Sequence, residues 1–286
     1  MPRVVVAYLA CALIWGTTWF AIRVCIGPDG FPTLTALALR FVLAAVLLVP
    51  LAIRAKPWPR GSTWLWLVAA GVLDAVGYLL VYLGEERIPG GLAAVVYGTQ
   101  PLILAIMMTV LRIEGITRRH IVGAVISIAG VGVLYLDRLH VSGAQALGIV
   151  LVLGSVVVAT AYSVIMKRHG GAVNGLVATT VFLVVTAIVL GIIAIVAHER
   201  APWPPPGKPS LALAYLAVMG TVVAFLVYFW LLGKTSLLVT STLVFVFPVV
   251  ALLTDALFER AIPLGPWSYL GAAITLAGLG VSLRRG

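Results

Sequence analysis

Of 286 residues, 62% are hydrophobic and only 10% charged, far below the roughly one quarter expected of a water-soluble domain, so the expected solvent is a bilayer and a soluble domain is excluded. The formal charge of +10 does not point to nucleic acid, because Lys and Arg come in short clusters between apolar runs, the pattern of cytoplasmic loops. Cys11 and Cys25 stand 14 residues apart on one predicted helix, about 21 Å along its axis, which excludes a disulfide. All four histidines fall between the runs, and neither a metal site nor a cofactor is suggested.

Ten runs approach the length needed to cross a hydrocarbon core, about 20 apolar residues: 4–25, 35–53, 65–84, 91–111, 120–136, 146–166, 175–197, 211–233, 236–258 and 265–283. The first follows Arg3 and continues through Val24 with no small-residue cleavage site, so it reads as an uncleaved span. It carries Trp15 and Trp19 at i, i+4 and Arg23 toward its outer end. Arg40 heads the second run as a candidate counter-ion for Asp74 or for a substrate carboxylate, or as a headgroup anchor. The third holds Asp74 near its middle, with Tyr78, Tyr82 and Glu85 following at i+4, i+8 and i+11 on one helical stripe. An ionisable group inside a span is expensive, so this stripe is expected to face protein or a water-filled cavity. It is either a polar wall of a pathway or an aspartate capped by a neighbouring helix's hydroxyl, with tyrosines packed as hydrophobes.

The fourth run places Tyr97 and Gln100 just before Pro101, whose ring frees a carbonyl one turn back, either for a ligand or merely as a packing kink. Tyr162 lies on the sixth run, Tyr228 and Trp230 on the eighth, Phe245 and Phe247 on the ninth. The ninth repeats the proline device with Pro248 and carries Asp255 near its outer end. With Arg23 this offers a gate-like ion pair, or else a simple interfacial charge. Trp58, Trp64, Trp66, Trp203 and Trp267 sit at span ends and read as interface belts. The mid-span aromatics are candidates for stacking with flat or cationic substrates. Connections are short, the longest being the proline-rich segment 198–210.

The second half repeats the first. Gly123-Ala-Val-Ile-Ser-Ile-Ala-Gly130-Val-Gly132-Val133 returns 148 residues on as Gly271-Ala-Ala-Ile-Thr-Leu-Ala-Gly278-Leu-Gly280-Val281, identical at seven of eleven positions. Trp66–Gly71 matches Tyr215–Gly220, Pro101 matches Pro248, and Trp15–Trp19 matches Val158–Tyr162. The expected units are 1–138 and 139–286, five spans each, and an odd number of spans per copy turns the copies upside down relative to each other. The glycines of runs five and ten are expected to pack those spans closely, with a homodimer seam as the alternative to a monomer. Arg54, Lys56 and Arg60, then Arg112, Arg118 and Arg119, then Lys167 and Arg168 crowd alternate connections, which puts both termini in the cytoplasm.

Leu13-Ile14-Trp15-Gly16-Thr17-Thr18-Trp19-Phe20 resembles the opening motif of EamA-type proteins in the drug/metabolite transporter superfamily. Arg40-Phe41 resembles their second-helix motif, and Pro101…Glu114 and Pro248…Glu259 resemble the end of each family repeat, although the second interval is two residues shorter. The resemblance covers nearly the whole chain. It implies an all-α polytopic membrane protein, with ten transmembrane helices as two inverted five-helix repeats around a substrate cavity. It also implies export across a bacterial inner membrane, with the aromatic amino acid exporter branch as a candidate.

The expected activity is therefore export of small metabolites, most plausibly aromatic or hydrophobic amino acids, by alternating access. The alternative cargo is cationic or planar drugs or nucleobase-like compounds. Expected substrate-binding residues are Trp15, Trp19, Asp74, Tyr78, Tyr82, Tyr97, Gln100, Tyr162, Tyr228 and Phe245, with Arg23, Arg40 and Asp255 as gating residues or counter-ions. An intramembrane enzyme would need a nucleophile–base pair or metal ligands within the spans, and the sequence offers no HExxH and no in-span histidine. Asp74 is either a proton carrier in an antiporter or structural in a uniporter.

Overall fold

A computed structural model describes residues 2–88, 90–112, 117–134, 143–199, 207–258 and 265–283. Every regular element among them is helical: α1 (Pro2–Ile26), α2 (Thr33–Ile53), α3 (Ser62–Glu85), α4 (Gly90–Tyr97), α5 (Gln100–Leu111), α6 (Arg118–Leu134), α7 (Gly143–His169), α8 (Gly175–Ala197), α9 (Lys208–Ala217), α10 (Ala224–Lys234), α11 (Leu237–Ser241), α12 (Phe247–Phe258) and α13 (Pro266–Leu283). Seven stretches among the described residues are long and apolar enough to cross a membrane: Pro2–Ile26, Thr33–Ile53, Ser62–Glu85, Gln145–Ala172, Gly175–Ala197, Lys208–Lys234 and Leu237–Phe258. The expected crossing at 91–111 is interrupted, and those at 120–136 and 265–283 are shorter helices. The unit boundary at 138/139, the repeat-end residues Glu114 and Glu259, and Trp203 lie outside the described residues.

Polarity runs inside out. Val46, Leu65, Ile106, Val110, Ile195 and Leu257 point outward from five different helices, while Arg40, Asp74 and a set of serines and threonines are buried. A water-soluble bundle has the opposite arrangement, so this outer surface suits lipid. The buried hydroxyls turn back onto their own helices: Thr160 Oγ1 donates to Val156 O, Ser163 Oγ to Ala159 O and Thr180 Oγ1 to Leu176 O. Each is satisfied without water, as a membrane interior requires.

Both mid-span prolines start a fresh helical segment, where the expectation was a kink or a freed carbonyl in a continuous helix. Gly98 and Thr99 separate α4 from α5, and Pro101 stands in the first turn of α5. A 3₁₀ turn, Thr242–Phe245, precedes α12, in which Pro248 is the second residue. The missing proline N–H costs nothing in a first turn, because no intrahelical acceptor exists for it there. Between α9 and α10 the chain widens into a π-helical turn, Val218–Val223, where Thr221 Oγ1 donates to Leu216 O, five residues back, at 2.8 Å.

Helices that correspond between the two halves pack on each other antiparallel. Glu199, just past the end of α8, accepts from Leu34 N (3.2 Å) and Thr35 N (2.8 Å) at the start of α2. At the opposite end Asn174, the N-cap of α8, donates through its backbone N to Pro57 O and through Nδ2 to Lys56 O, both 3.1 Å, just past the end of α2. Between α6 and α13, Ser127 Oγ donates to Thr275 O at 3.0 Å, and Thr275 Oγ1 donates to Ser127 O at 3.5 Å across a sequence separation of 148. Gly130 lies against Gly271 and Thr275, and Gly278 against Gly123 and Ser127. The contacts are unchanged when each residue is exchanged for its partner 148 positions away, which is the reciprocity a two-fold axis imposes. Other packing obeys the same exchange, since α3 lies on α7 as α9 and α10 lie on α1, and α4 lies on α7 as α12 lies on α1. The seam glycines are consumed within the chain, not on an outer face.

Candidate functional site

The bundle encloses a cavity of about 90 Å³ at its centre, where a single water needs roughly 10–15 Å³ on the same measure. Every helical layer contributes to its wall: Trp15, Thr18, Trp19 and Ile22 from α1, Arg40 from α2, Asp74, Gly77, Tyr78 and Val81 from α3, Tyr97 from α4 and Gln100 from α5. The second half supplies Ala159 and Tyr162 from α7, Tyr228 from α10, Thr240 from α11, Leu243 and Val244 from the 3₁₀ turn, and Phe247 from α12. The breaks before Pro101 and Pro248 thus fall at the cavity, where irregular backbone is tolerated in a membrane protein.

The aromatic part of the wall is edge-packed. Trp15 meets Tyr228 at a centroid distance of 5.0 Å, Phe225 at 5.6 Å and Phe247 at 6.0 Å, while Trp19 meets Tyr97 at 5.5 Å. Such T-shaped contacts fix the ring planes and leave faces for a flat ligand. Hydrogen bonds hold two of the phenols: Ser155 Oγ donates to Tyr97 OH at 3.3 Å, and Ser163 Oγ and Tyr228 OH are 3.0 Å apart. Trp15 Nε1 donates to Gly220 O at 3.2 Å.

Arg40 is 1% exposed, so it is no headgroup anchor; the charge at the head of α2 turns into the bundle. Its Nε donates to Thr221 Oγ1 at 2.8 Å and its Nη2 to Gly220 O at 3.1 Å, both in the π-helical turn, with longer contacts to Tyr82 OH (3.4 Å) and Tyr78 OH (3.5 Å). The guanidinium also sits 4.8 Å from the Tyr78 ring centroid, within cation–π range. These neutral partners occupy most of its five N–H groups. The expected direct pairing with Asp74 is not among its bonds.

Asp74 is 0% exposed. Thr186 Oγ1, from α8, donates to its Oδ2 at 3.0 Å, and its Oδ1 has no hydrogen-bond partner. Both readings of the aspartate therefore hold together, since it is capped by a neighbouring hydroxyl and also stands in the cavity wall. Trp19 Nε1 is likewise buried without a partner. A buried polar atom left unsatisfied is costly, so the cavity holds one acceptor and one donor awaiting a ligand group.

Of the residues expected to bind substrate, Trp15, Trp19, Asp74, Tyr78, Tyr97, Gln100, Tyr162 and Tyr228 line the one space. Two do not. Tyr82 is fully buried one turn beyond Tyr78, with its hydroxyl turned to Arg40. Phe245 is rotated into the core by the 3₁₀ turn, and Phe247 takes the cavity position. Arg23 is half-buried near the end of α1, and the side chain of Asp255, on α12, lies outside the described residues. Sequence reasoning missed Thr18, Gly77, Thr240 and the cap Thr186. Gly77 follows Asp74 at i+3 and belongs to the same stripe, so the helical period alone could have found it; the others carried no signal.

Aromatic faces, an amide and unpaired polar atoms recognise a ligand without supplying covalent chemistry, and no group of three or more metal-binding side chains occurs among the described residues. Comparison with known proteins agrees. The model of the EamA-like transporter family matches residues 2–136 and 146–284. The chain is 31% identical to the uncharacterized inner membrane transporter YedA of Escherichia coli K12, over 96% of this chain and 90% of that protein. It is 28% identical to protein PecM of Dickeya dadantii, covering 88% and 82%, and 24% identical to a probable terminal-alkyne amino-acid exporter of Streptantibioticus cattleyicolor, covering 100% and 95%. A solved crystal structure superposes with a TM-score of 0.78 at 21% identity, over 98% of this chain and 96% of the other, which speaks to the fold.

Proposed function

We propose a substrate class and mechanism from one premise: the chain belongs to the EamA-like transporter family, whose model covers both of its halves. It is a polytopic helical membrane transporter. On our reading it exports amino acids with aromatic or hydrophobic side chains across a bacterial inner membrane. Ten helices cross that membrane as two inverted five-helix units, 1–138 and 139–286, with both termini cytoplasmic and the chain acting as a monomer. Antiparallel packing of α2 on α8 and of α6 on α13 supports the inversion, and alternating access follows from rocking of the two units about the central cavity.

The observation that carries the substrate class is the content of that cavity. Trp15, Trp19, Tyr78, Tyr97, Tyr162 and Tyr228 offer ring faces, while Asp74 Oδ1 and Trp19 Nε1 stand unpartnered among them. An amino acid presents an ammonium for the acceptor, a carboxylate for the donor and a side chain for the rings. The similarity to an amino-acid exporter points the same way. Proteoliposomes holding the protein should release phenylalanine or tryptophan down a gradient. Gln100→Ala should slow this about 2–10-fold, the loss of one hydrogen bond worth roughly 0.5–1.5 kcal/mol. Flux of planar cations in place of amino acids would overturn the substrate class in favour of drug export.

A further inference from the structure

The two halves bring matching positions together with opposite charge. From α2, Arg40 reaches the Gly220 carbonyl and Thr221 in the second half. From α8, Thr186 reaches the Gly71 carbonyl and Asp74 in the first half. Gly220 is the repeat counterpart of Gly71 at an offset of 149, Thr186 of Arg40 at 146 and Thr221 of Asp74 at 147. Each node thus pairs one threonine with one ionisable group, an arginine in one and an aspartate in the other. The node holding the carboxyl has a hydroxyl where its counterpart has a cation.

Thr186 Oγ1 lies 3.0 Å from three oxygens at once: Phe182 O, Gly71 O and Asp74 Oδ2. A hydroxyl has a single proton to give. With Asp74 ionised, two of those oxygens face it lone pair to lone pair. A proton on Oδ2 resolves the node, because the carboxyl then donates to Thr186 and Thr186 donates onward to a carbonyl. Asp74 is also sealed from water, at 0% exposure, and a buried carboxylate without a partner charge is strongly disfavoured. The charged and titratable groups sharing its cavity are Arg40 from α2, Tyr78 from its own helix, Tyr97 from α4, Tyr162 from α7 and Tyr228 from α10. Arg40 spends its donors elsewhere, and α8 contributes the non-titrating Thr186.

We propose that Asp74 is a proton carrier that exchanges its proton for the ammonium group of the substrate, making the protein a proton antiporter for amine-bearing compounds. In the empty cavity the proton rests on Oδ2. An arriving ammonium donates to the unpartnered Oδ1, the O–H bond breaks, and the proton leaves to water on the open side. On the far side the ammonium departs and a proton returns. One proton is released for each ammonium bound, and the carboxyl is neutral before and ion-paired after. This rests on the transport reading above, and names the coupling that reading leaves open.

Infrared difference spectra of the purified full chain test the carboxyl directly. A protonated-carboxyl band should be present in the empty protein, absent in Asp74→Asn and displaced in Thr186→Val, which assigns it even if the asparagine variant fails to fold. Phenylalanine or phenethylammonium should discharge it, with about one proton released per ligand bound. No such band, or a band that neither probe discharges, overturns the proposal. In proteoliposomes an imposed pH gradient should drive the probe several-fold above equilibrium in the wild type and not in Asp74→Asn. Counterflow without any uphill response refutes proton exchange and leaves transport standing. Discharge and uphill movement of phenethylammonium, with no movement of phenylalanine, removes the amino-acid reading alone.

Discussion

A single methyl group added at Gly130 should damage the protein, while the same change two residues away at Gly132 should not. A Cβ at Gly130 would run into the backbone N and Oγ1 of Thr275 and the carbonyl of Gly271, whereas a Cβ at Gly132 meets nothing within 4 Å. Backbone atoms cannot rotate aside, so Gly130→Ala must push α6 and α13 apart. Overpacking of this kind costs about 1–3 kcal/mol, and stretching the reciprocal Ser127–Thr275 bonds removes roughly 0.6–2 kcal/mol each. The better helix propensity of alanine returns about 0.8–1 kcal/mol. The net expectation is a loss of about 2–4 kcal/mol for Gly130→Ala and a gain of up to about 1 kcal/mol for Gly132→Ala. Gly278 and Gly280 repeat the contrast on α13, the first against Ser127 and Gly123, the second in open space. A thiol-reactive dye reads this out well, because Cys11 and Cys25 are free and 0% exposed and stay dark until the bundle opens. Thermal melts in detergent should fall for Gly130→Ala and Gly278→Ala and hold or rise for the other two. The double variant should cost less than the sum, since both changes open one seam. Equal melts for Gly130→Ala and Gly132→Ala would refute the seam geometry.

Two further outcomes follow from single contacts. Glu199→Ala strips the carboxylate from the start of α2, where it accepts from Leu34 N and Thr35 N, and should cost about 1–2 kcal/mol in the same melt, the usual worth of an N-terminal cap. Arg40→Met should cost only about 1–3 kcal/mol, the penalty of an unpaired Tyr82 hydroxyl, because Gly220 O keeps Trp15 and Thr221 keeps Leu216 O; Arg40→Lys should cut flux about tenfold, since one ammonium cannot reproduce the forked contacts to α3 and the π-helical turn, and wild-type flux in the lysine variant would count against that role.

Much of this architecture was legible from period and repeat. The stripe through Asp74 and Tyr78 faces the cavity because a helix has no other place for a carboxyl in lipid, and the glycines of α6 and α13 meet because their spacing admits close backbones. Local backbone departures were not legible. The π-helical turn at Val218–Val223 and the 3₁₀ turn at Thr242–Phe245 break the 3.6-residue period over a single turn. A hydrophobic pattern rich in Val, Leu and Thr does not register such a shift. Those turns nevertheless decide which side chains reach the cavity: the first aims Gly220 O and Thr221 at Arg40, the second exchanges Phe245 for Phe247. Burial of Arg40 was hidden for a related reason. A charge at the head of a span and a charge inside a bundle have the same sequence, and only the neutral acceptors that collect around it from α3, α9 and the π-helical turn tell them apart.

On the duplicated-unit reading, symmetry and function divide the molecule between them. The seam of α6 and α13 keeps equivalent residues in equivalent roles, down to Ser127 and Thr275 bonding each other, because a purely structural contact gains nothing from divergence. A two-fold-symmetric cavity, by contrast, can only offer every group twice. An amino acid has unlike ends, so a site that holds it in one orientation must break the symmetry. That break falls at the paired nodes, where Arg40 with Thr221 faces Thr186 with Asp74 across the same space. The arginine is tied into the frame by neutral acceptors and stays charged throughout, while the aspartate keeps a free oxygen and can exchange what it holds. Restoring symmetry by Asp74→Thr should therefore leave the fold intact, with a melt within about 1 kcal/mol of wild type as both nodes become hydroxyl-capped, and abolish response to a pH gradient. An intact gradient response in that variant would place the coupling group elsewhere.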